Sequence, residues 1–224
     1  MAATGDAAKV ALALGAGAAV VAGVWYYFKE RGNAGAASED EFDGGFEVLN
    51  TEESPEKRVL VLGLDGSGKS SLLNGLSKQD NKEETKPTEG FHVIVVQAEN
   101  VTLNIWEIGG KENVRSYWEN FIVGTEVLLF VVDSADTERF DLAKEELGKL
   151  LADARLTGVP AIIIANKQDV PGAKGAGEIR EILELKNHVS SRDIHVVETQ
   201  VPLRSAQLGV PTVYDLLTKL TKKS

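Results

Sequence analysis

The chain of 224 residues contains no cysteine. That absence excludes a disulfide scaffold, a thiolate zinc site, a cysteine nucleophile and the attachment of palmitoyl or prenyl groups. Its three histidines, His92, His188 and His195, are scattered without the spacing of a metal site and read as structural or exposed. Ala2 stands where myristoylation would require glycine. No segment repeats. A net charge of −10 argues against a nucleic-acid partner, because phosphate recognition needs Lys and Arg gathered on one face. What remains, 43% hydrophobic and 26% charged, is the composition of a globular chain.

The acidity is unevenly placed. Residues 38–56 hold eight acids and no base, which leaves 57–224 nearly balanced. Such a stretch reads as a solvated, self-repelling linker, assigned here to 32–56, with an acidic interaction tail as the alternative.

Ahead of it, Val10–Phe28 is an uncharged run of 19 residues, long enough to cross a hydrocarbon core of ~30 Å as a helix. It ends in Trp25, Tyr26, Tyr27 and Phe28, aromatics suited to the headgroup level, and then Lys29 and Arg31. A cleavable signal peptide has a shorter apolar core, so residues 1–31 are expected to be an uncleaved membrane anchor. The alternative is a buried or interfacial helix, since the run is rich in Ala and Gly. Ala11, Gly15, Ala19 and Gly23 recur every four residues and would allow an anchor-mediated homodimer. In a segment of this composition the same stripe also arises by chance.

From Lys57 the pattern becomes regular, and 57–224 is expected to be one α/β domain. Val59–Leu62, Val127–Val132 and Pro160–Ala165 are continuous apolar runs, as strands buried on both faces should be. Phe91–Gln97 and Val101–Ile108 read as a hairpin turning at Glu99-Asn100, and Ile194–Glu198 as a sixth strand. Thr137–Leu151 and Thr212–Leu220 carry helical spacing. Strands alternating with helices predict a six-stranded, mostly parallel sheet with helices on both faces.

Gly63-Leu64-Asp65-Gly66-Ser67-Gly68-Lys69-Ser70 matches G-x-x-x-x-G-K-[ST] in full, directly after a strand and opening a helix with Ser71. Glycines let backbone N–H groups converge on a phosphate, and the helix N-terminus adds positive potential. Lys69 is placed to reach the β- and γ-phosphates, and the Ser70 hydroxyl to bind Mg²⁺. Further on, Asn166-Lys167-Gln168-Asp169 follows an apolar strand, at the carboxyl edge where open α/β sheets bind ligands. A carboxylate such as Asp169 accepts from guanine N1–H and its exocyclic amine, a pair that adenine does not offer. The predicted ligand is a guanine nucleotide.

Four motifs in order carry a family resemblance. They are Gly63-Leu64-Asp65 of the phosphate loop, Pro87-Thr88-Glu89-Gly90-Phe91, Trp106-Glu107-Ile108-Gly109-Gly110 and Asn166-Lys167-Gln168-Asp169. Together, over about 57–222, they resemble the ADP-ribosylation factor-like small GTPases. The resemblance implies the small-GTPase fold, bound GTP or GDP with Mg²⁺, and two switch segments that rearrange between the nucleotide states. It implies Mg²⁺ ligation by Ser70 and Thr88 with Glu107 nearby, a γ-phosphate contact from the Gly110 N–H, and Lys167 packed on the base. The hairpin of 91–108 lies between the switches, and in the family it slides in register. Effectors are then expected on the switch and interswitch surface; Tyr117 and Trp118 read as packing residues, with an exposed aromatic patch beside Trp106 and Phe91 as the alternative.

Three departures stand out. Lys111 follows Gly-Gly where the family usually has glutamine to position the attacking water. An ammonium donates to a γ-phosphate but accepts no proton from water, so slow hydrolysis is expected. The alternative is a solvated surface lysine with hydrolysis by another route. Glu107 stands for the usual Asp, one methylene longer. The base-contacting loop falls at Thr199-Gln200-Val201 and matches only at Thr199.

The expected site therefore places Lys111, Gly110 and Thr88 at the reaction, and Ser70, Thr88 and Glu107 at the metal. Gly63, Asp65, Gly66, Ser67, Gly68, Lys69, Ser70, Ser71, Gly110, Asn166, Lys167, Asp169 and Thr199 hold the nucleotide. Three functions fit: an anchored switch with weak turnover, a GTPase that depends on an activating protein, and a scaffold without nucleotide. The domain is expected to face the cytosol from the mitochondrial outer membrane or the endoplasmic reticulum.

Overall fold

The computed structural model describes residues 54–77, 88, 90–98, 100–202 and 207–222. The anchor, most of the acidic linker, Pro87 and Glu89 lie outside the described residues. Among the described residues, no helix is long and apolar enough to cross a membrane.

Six strands form one sheet: β1 (Glu56–Leu62), β2 (Phe91–Ala98), β3 (Val101–Ile108), β4 (Val127–Asp133), β5 (Ala161–Asn166) and β6 (Ile194–Glu198). Their spatial order is β2-β3-β1-β4-β5-β6. Only β2 runs antiparallel to its neighbour, with Phe91 opposite Ile108 and Ala98 opposite Val101. The other neighbours pair in parallel, as continuous apolar runs require. Strand β1 begins at Glu56, ahead of the apolar run, because Asn104 of β3 donates to the Glu56 carboxylate and Thr102 N–H to the Pro55 carbonyl.

Among the described residues five α-helices accompany the sheet: α1 (Lys69–Leu76), α2 (Glu112–Arg115), α3 (Phe140–Ala152), α4 (Ala176–Ile182) and α5 (Val210–Thr221). On one face, Val59, Val61, Ile105, Leu129 and Ile164 of the sheet bury against Leu72, Leu73 and Leu76 of α1 and Val213, Leu217 and Leu220 of α5. Each such side chain contributes about 1.5–3 kcal/mol relative to exposure. The alternate residues Leu60, Leu62, Leu128, Phe130 and Ile163 are also fully buried. Among them Phe130 meets Trp118 edge-on, with ring centroids 6.3 Å apart.

Two helical elements depart from the sequence expectation. The span 137–151 divides into a 3₁₀ turn at Thr137–Arg139 and α3 proper. Helix α4 was not expected from periodicity, because only Ile179 of it is buried and it shows no apolar stripe. It is held at its start instead: Glu178 accepts from Gly175 N–H at 3.2 Å, and Glu198 from Ala176 N–H at 2.6 Å.

The topology fixes where a ligand can sit. From β1 the chain goes to β2 and β3 on one side, then returns to β4 on the other. The carboxyl end of β1 is therefore the point at which strand order reverses, and there the crevice opens.

Candidate nucleotide-binding site

The loop after β1 turns through three glycines with positive φ: Gly63 at 143°, Gly66 at 72° and Gly68 at 92°. Gly68 needs this freedom and also its missing side chain, since a Cβ there would stand 2.2 Å from Asn166 Nδ2. The loop wraps around Lys69, whose ammonium donates to the Gly63 and Leu64 carbonyls, both at 3.0 Å. Lys69 is buried, and desolvation pushes its pKa down to about 8 against the opposing pull of Glu107 and Asp65.

Beside Lys69, three oxygen-bearing side chains converge from three elements. The Ser70 hydroxyl of α1 donates to Glu107 Oε1 of β3 at 2.6 Å, and Thr88 Oγ1 donates to the same oxygen at 3.1 Å. Ser70 Oγ and Thr88 Oγ1 lie 3.3 Å apart. Glu107 is 1% exposed, and among the described residues its Oε2 has no hydrogen-bond partner. His92 Nδ1 stands 3.9 Å from that oxygen, on an exposed ring. Two hydroxyls and a carboxylate with an unpartnered buried oxygen are hard donors, and this set fits a small divalent cation such as Mg²⁺.

Gly109 and Gly110 close one wall. A Cβ on Gly110 would come within 2.3 Å of the Gly63 carbonyl and 2.4 Å of Asp65 N, so the segment packs directly on the phosphate loop. Trp118 Nε1 donates to the Gly109 carbonyl at 2.9 Å, and Arg115 to the Gly110 carbonyl at 3.0 Å. Lys111 follows at the cap of α2 and lines the cleft. The cleft, about 230 Å³, is bounded by Asp65, Gly66, Gly68, Lys69, Ser70, Ser71, Thr88, Glu107, Gly110, Lys111 and Lys167.

The second motif reaches the same place from β5. Asn166 Nδ2 donates to the Ser67 carbonyl at 2.8 Å, and Asn166 Oδ1 accepts from the Thr199 hydroxyl at 2.8 Å. Thr199 is fully buried, so its hydroxyl props Asn166 from below. Lys167 holds a left-handed backbone at φ 65° and pairs with Asp133 at 2.7 Å, while Asp169 is exposed. Gln168 and Thr199 are tied by the Gln168 N–H to the Thr199 carbonyl at 3.1 Å.

Of the two readings of the aromatic residues, both tryptophans follow the packing one, while Phe91 and Tyr117 are half-buried. Trp106 and Trp118 are 4% and 3% exposed. Trp106 stacks on Phe91 at 5.8 Å, lies 6.4 Å from Phe121 and carries the Arg58 guanidinium 4.3 Å above its ring. Sequence reasoning passed over three residues that the structure brings to the site: Asp133, Arg115 and Arg139. Asp133 had a signal, as the polar end of an apolar strand. Arg115 acts through a backbone carbonyl and Arg139 through a residue 74 positions away, contacts that residue type and spacing do not announce.

Comparison with known proteins agrees with this geometry. Residues 46–217 match the model of the ADP-ribosylation factor family. The chain is 44% identical to ADP-ribosylation factor-like protein 3 of Chlamydomonas reinhardtii over 130 residues, 58% of this chain and 73% of that protein. It is also 44% identical to the Caenorhabditis elegans protein of the same name over 146 residues, 63% of this chain and 79% of the other. Among solved structures it resembles the Arl6 BBS3 small GTPase of Trypanosoma brucei, which carries the nucleotide analogue GppNp. That likeness has a TM-score of 0.66 at 27% identity and covers 75% of this chain and 98% of that one. This chain belongs to the ADP-ribosylation factor family.

Proposed function

We propose that the protein is a membrane-anchored guanine-nucleotide switch that binds GTP with Mg²⁺, recruits effectors in that state and hydrolyses GTP slowly. The observation that carries the reading is the single cleft shared by the phosphate loop, the Ser70–Thr88–Glu107 oxygens and Lys167 of the base motif. Within it, Lys69 exchanges its two loop carbonyls for phosphate oxygens, and Gly110 N–H donates to the terminal phosphate. Asp169 accepts from guanine while the Lys167 stem packs on the ring. Ser70, Thr88 and Glu107 would hold the cation, whose charge offsets that of the β- and γ-phosphates. Lys111 lines the cleft where the family usually carries glutamine. It donates to phosphate but accepts no proton from water, which supports weak turnover.

The anchor 10–28 in place of a lipidated amphipathic helix makes the chain resemble ADP-ribosylation factor-like proteins ten and nine. A permanent anchor means that nucleotide state controls partner choice rather than membrane attachment. The 57–224 domain faces the cytosol, where GTP is found, from the mitochondrial outer membrane or the endoplasmic reticulum. The small-residue stripe of the anchor supports a homodimer, and the 32–56 segment spaces the domain from the bilayer.

The test is to purify the full chain in detergent with magnesium, identify the retained nucleotide by chromatography and follow it over hours. Persisting GTP is expected. Retained GDP, or GTP that disappears quickly, would favour an ordinary GTPase helped by an activating protein. Absence of any guanine nucleotide would favour a scaffold.

A further inference from the structure

Arg139 stands behind the phosphate loop, at the end of the 3₁₀ turn that leads into α3. One of its nitrogens, Nη1, lies 3.2 Å from Asp65 Oδ1, and the same guanidinium pairs with Asp136 at 2.5 Å. A Cβ built on Gly66 would stand 3.8 Å from its Nη2. The neighbouring carboxylate, Asp133, is already occupied by Lys167. Arg139 is thus the cation that holds Asp65, and it does so from outside the nucleotide cleft.

Asp65 occupies a particular end of that cleft. Its amide would lie 2.4 Å from a Cβ on Gly110, and its carboxylate is near enough to pull on the Lys69 ammonium, the group assigned to the β- and γ-phosphates. Glu107, a second carboxylate, lines the same cleft beside Thr88. An uncompensated Asp65 carboxylate there would repel a triphosphate more than a diphosphate, because only the former adds charge at that end. We infer that Arg139 is a positioning residue that sets the preference for GTP over GDP by holding and neutralising Asp65. The inference rests on the guanine-nucleotide reading above. Both partners are partly exposed, at 36% and 42%, so solvent screening holds the effect to about threefold to tenfold.

The experiment measures dissociation constants of fluorescent GTP and GDP analogues on the full chain with magnesium. It compares wild type, Arg139→Ala, Arg139→Lys and the double variant Asp65→Asn/Arg139→Ala. Arg139→Ala is expected to lower the GTP-over-GDP affinity ratio by about threefold to tenfold, more at low salt than at high. Arg139→Lys keeps most of the ratio, and the double variant regains it, because the carboxylate in need of compensation is gone. Equal weakening of GTP and GDP in Arg139→Ala, or no recovery in the double variant, would overturn the inference and leave only structural support for the loop. A wild type that binds neither nucleotide would overturn the underlying reading as well. One that binds both, with a ratio indifferent to position 139, would overturn the role of Arg139 alone.

Discussion

Asn166 and Ser67 are 99 positions apart in the chain and 2.8 Å apart in space, with the Asn166 amide donating to the Ser67 carbonyl. This bond makes the base motif a structural part of the phosphate loop. Asn166 also accepts from the Thr199 hydroxyl, so one buried carboxamide joins the loops after β1, β5 and β6. The first residue of the motif therefore has a structural task of its own, whatever it contributes to the ligand.

Asn166→Ala removes both bonds and leaves the buried Thr199 hydroxyl without this acceptor. Each lost partner of a buried group costs about 1–3 kcal/mol. Denaturant unfolding of the apo protein should show a loss in that range, and affinity for GDP and GTP should fall together by tenfold or more. A variant with wild-type stability and a purely base-specific defect would show that the tie between loops contributes little.

The Lys69 ammonium gives nucleotide binding a pH dependence of known sign. In the free protein burial lowers its pKa to about 8, and a polyphosphate in contact with it would raise that value again. Below pH 8 the free protein already carries the proton, and binding takes up none at this site. Above pH 8 the proton has been lost and must be regained on binding, so affinity falls with rising pH, by up to about tenfold per unit. Titration calorimetry at pH 9 in buffers of different ionisation enthalpy should show proton uptake. A flat affinity between pH 7 and 9.5 would contradict this account.

Local pattern carried much of the fold. The continuous apolar runs marked β1, β4 and β5, and the phosphate loop announced itself because its chemistry needs contiguous residues. Helix α4 was invisible because a helix that buries only Ile179 has no periodicity to read. The site divides in the same way. Ser70, Thr88 and Glu107 belong to recognisable strings, but that their oxygens meet within 3.3 Å is a consequence of β1 pairing with β3. Arg139 was missed because Asp65, its partner on the phosphate loop, is distant in sequence. The aromatic residues were legible as a cluster, but their burial depended on how the segment after α2 folds back over the sheet.

Trp118 fixes the wall that carries Gly110. Its indole N–H reaches the Gly109 carbonyl at 2.9 Å while its ring packs edge-on against Phe130. Trp118→Phe keeps most of the apolar contact and deletes the donor, leaving a buried carbonyl short of one partner. Stability should fall by about 1–3 kcal/mol in thermal or denaturant unfolding. The same variant should release GTP faster than GDP, since the Gly109-Gly110 segment is proposed to serve the terminal phosphate. Equal acceleration of both would mean that Trp118 supports the domain without shaping that wall.

Lys111 offers the most direct test of turnover. It sits at the start of α2, with its carbonyl accepting from the Val114 and Arg115 N–H groups, and it lines the cleft beside Gly110. Lys111→Gln leaves that backbone arrangement alone and replaces an ammonium by a carboxamide, which can donate and accept. If positioning of the attacking water is what this chain lacks, single-turnover GTP hydrolysis should rise by about tenfold or more, with little change in GDP affinity. Lys111→Ala separates the two parts of the argument, because it deletes the ammonium without supplying an acceptor. It should stay as slow as wild type if the missing acceptor is the obstacle. A rate that rises equally in Gln and Ala variants would make the positive charge itself the inhibitor. Identical rates in all three proteins would remove Lys111 from any account of hydrolysis.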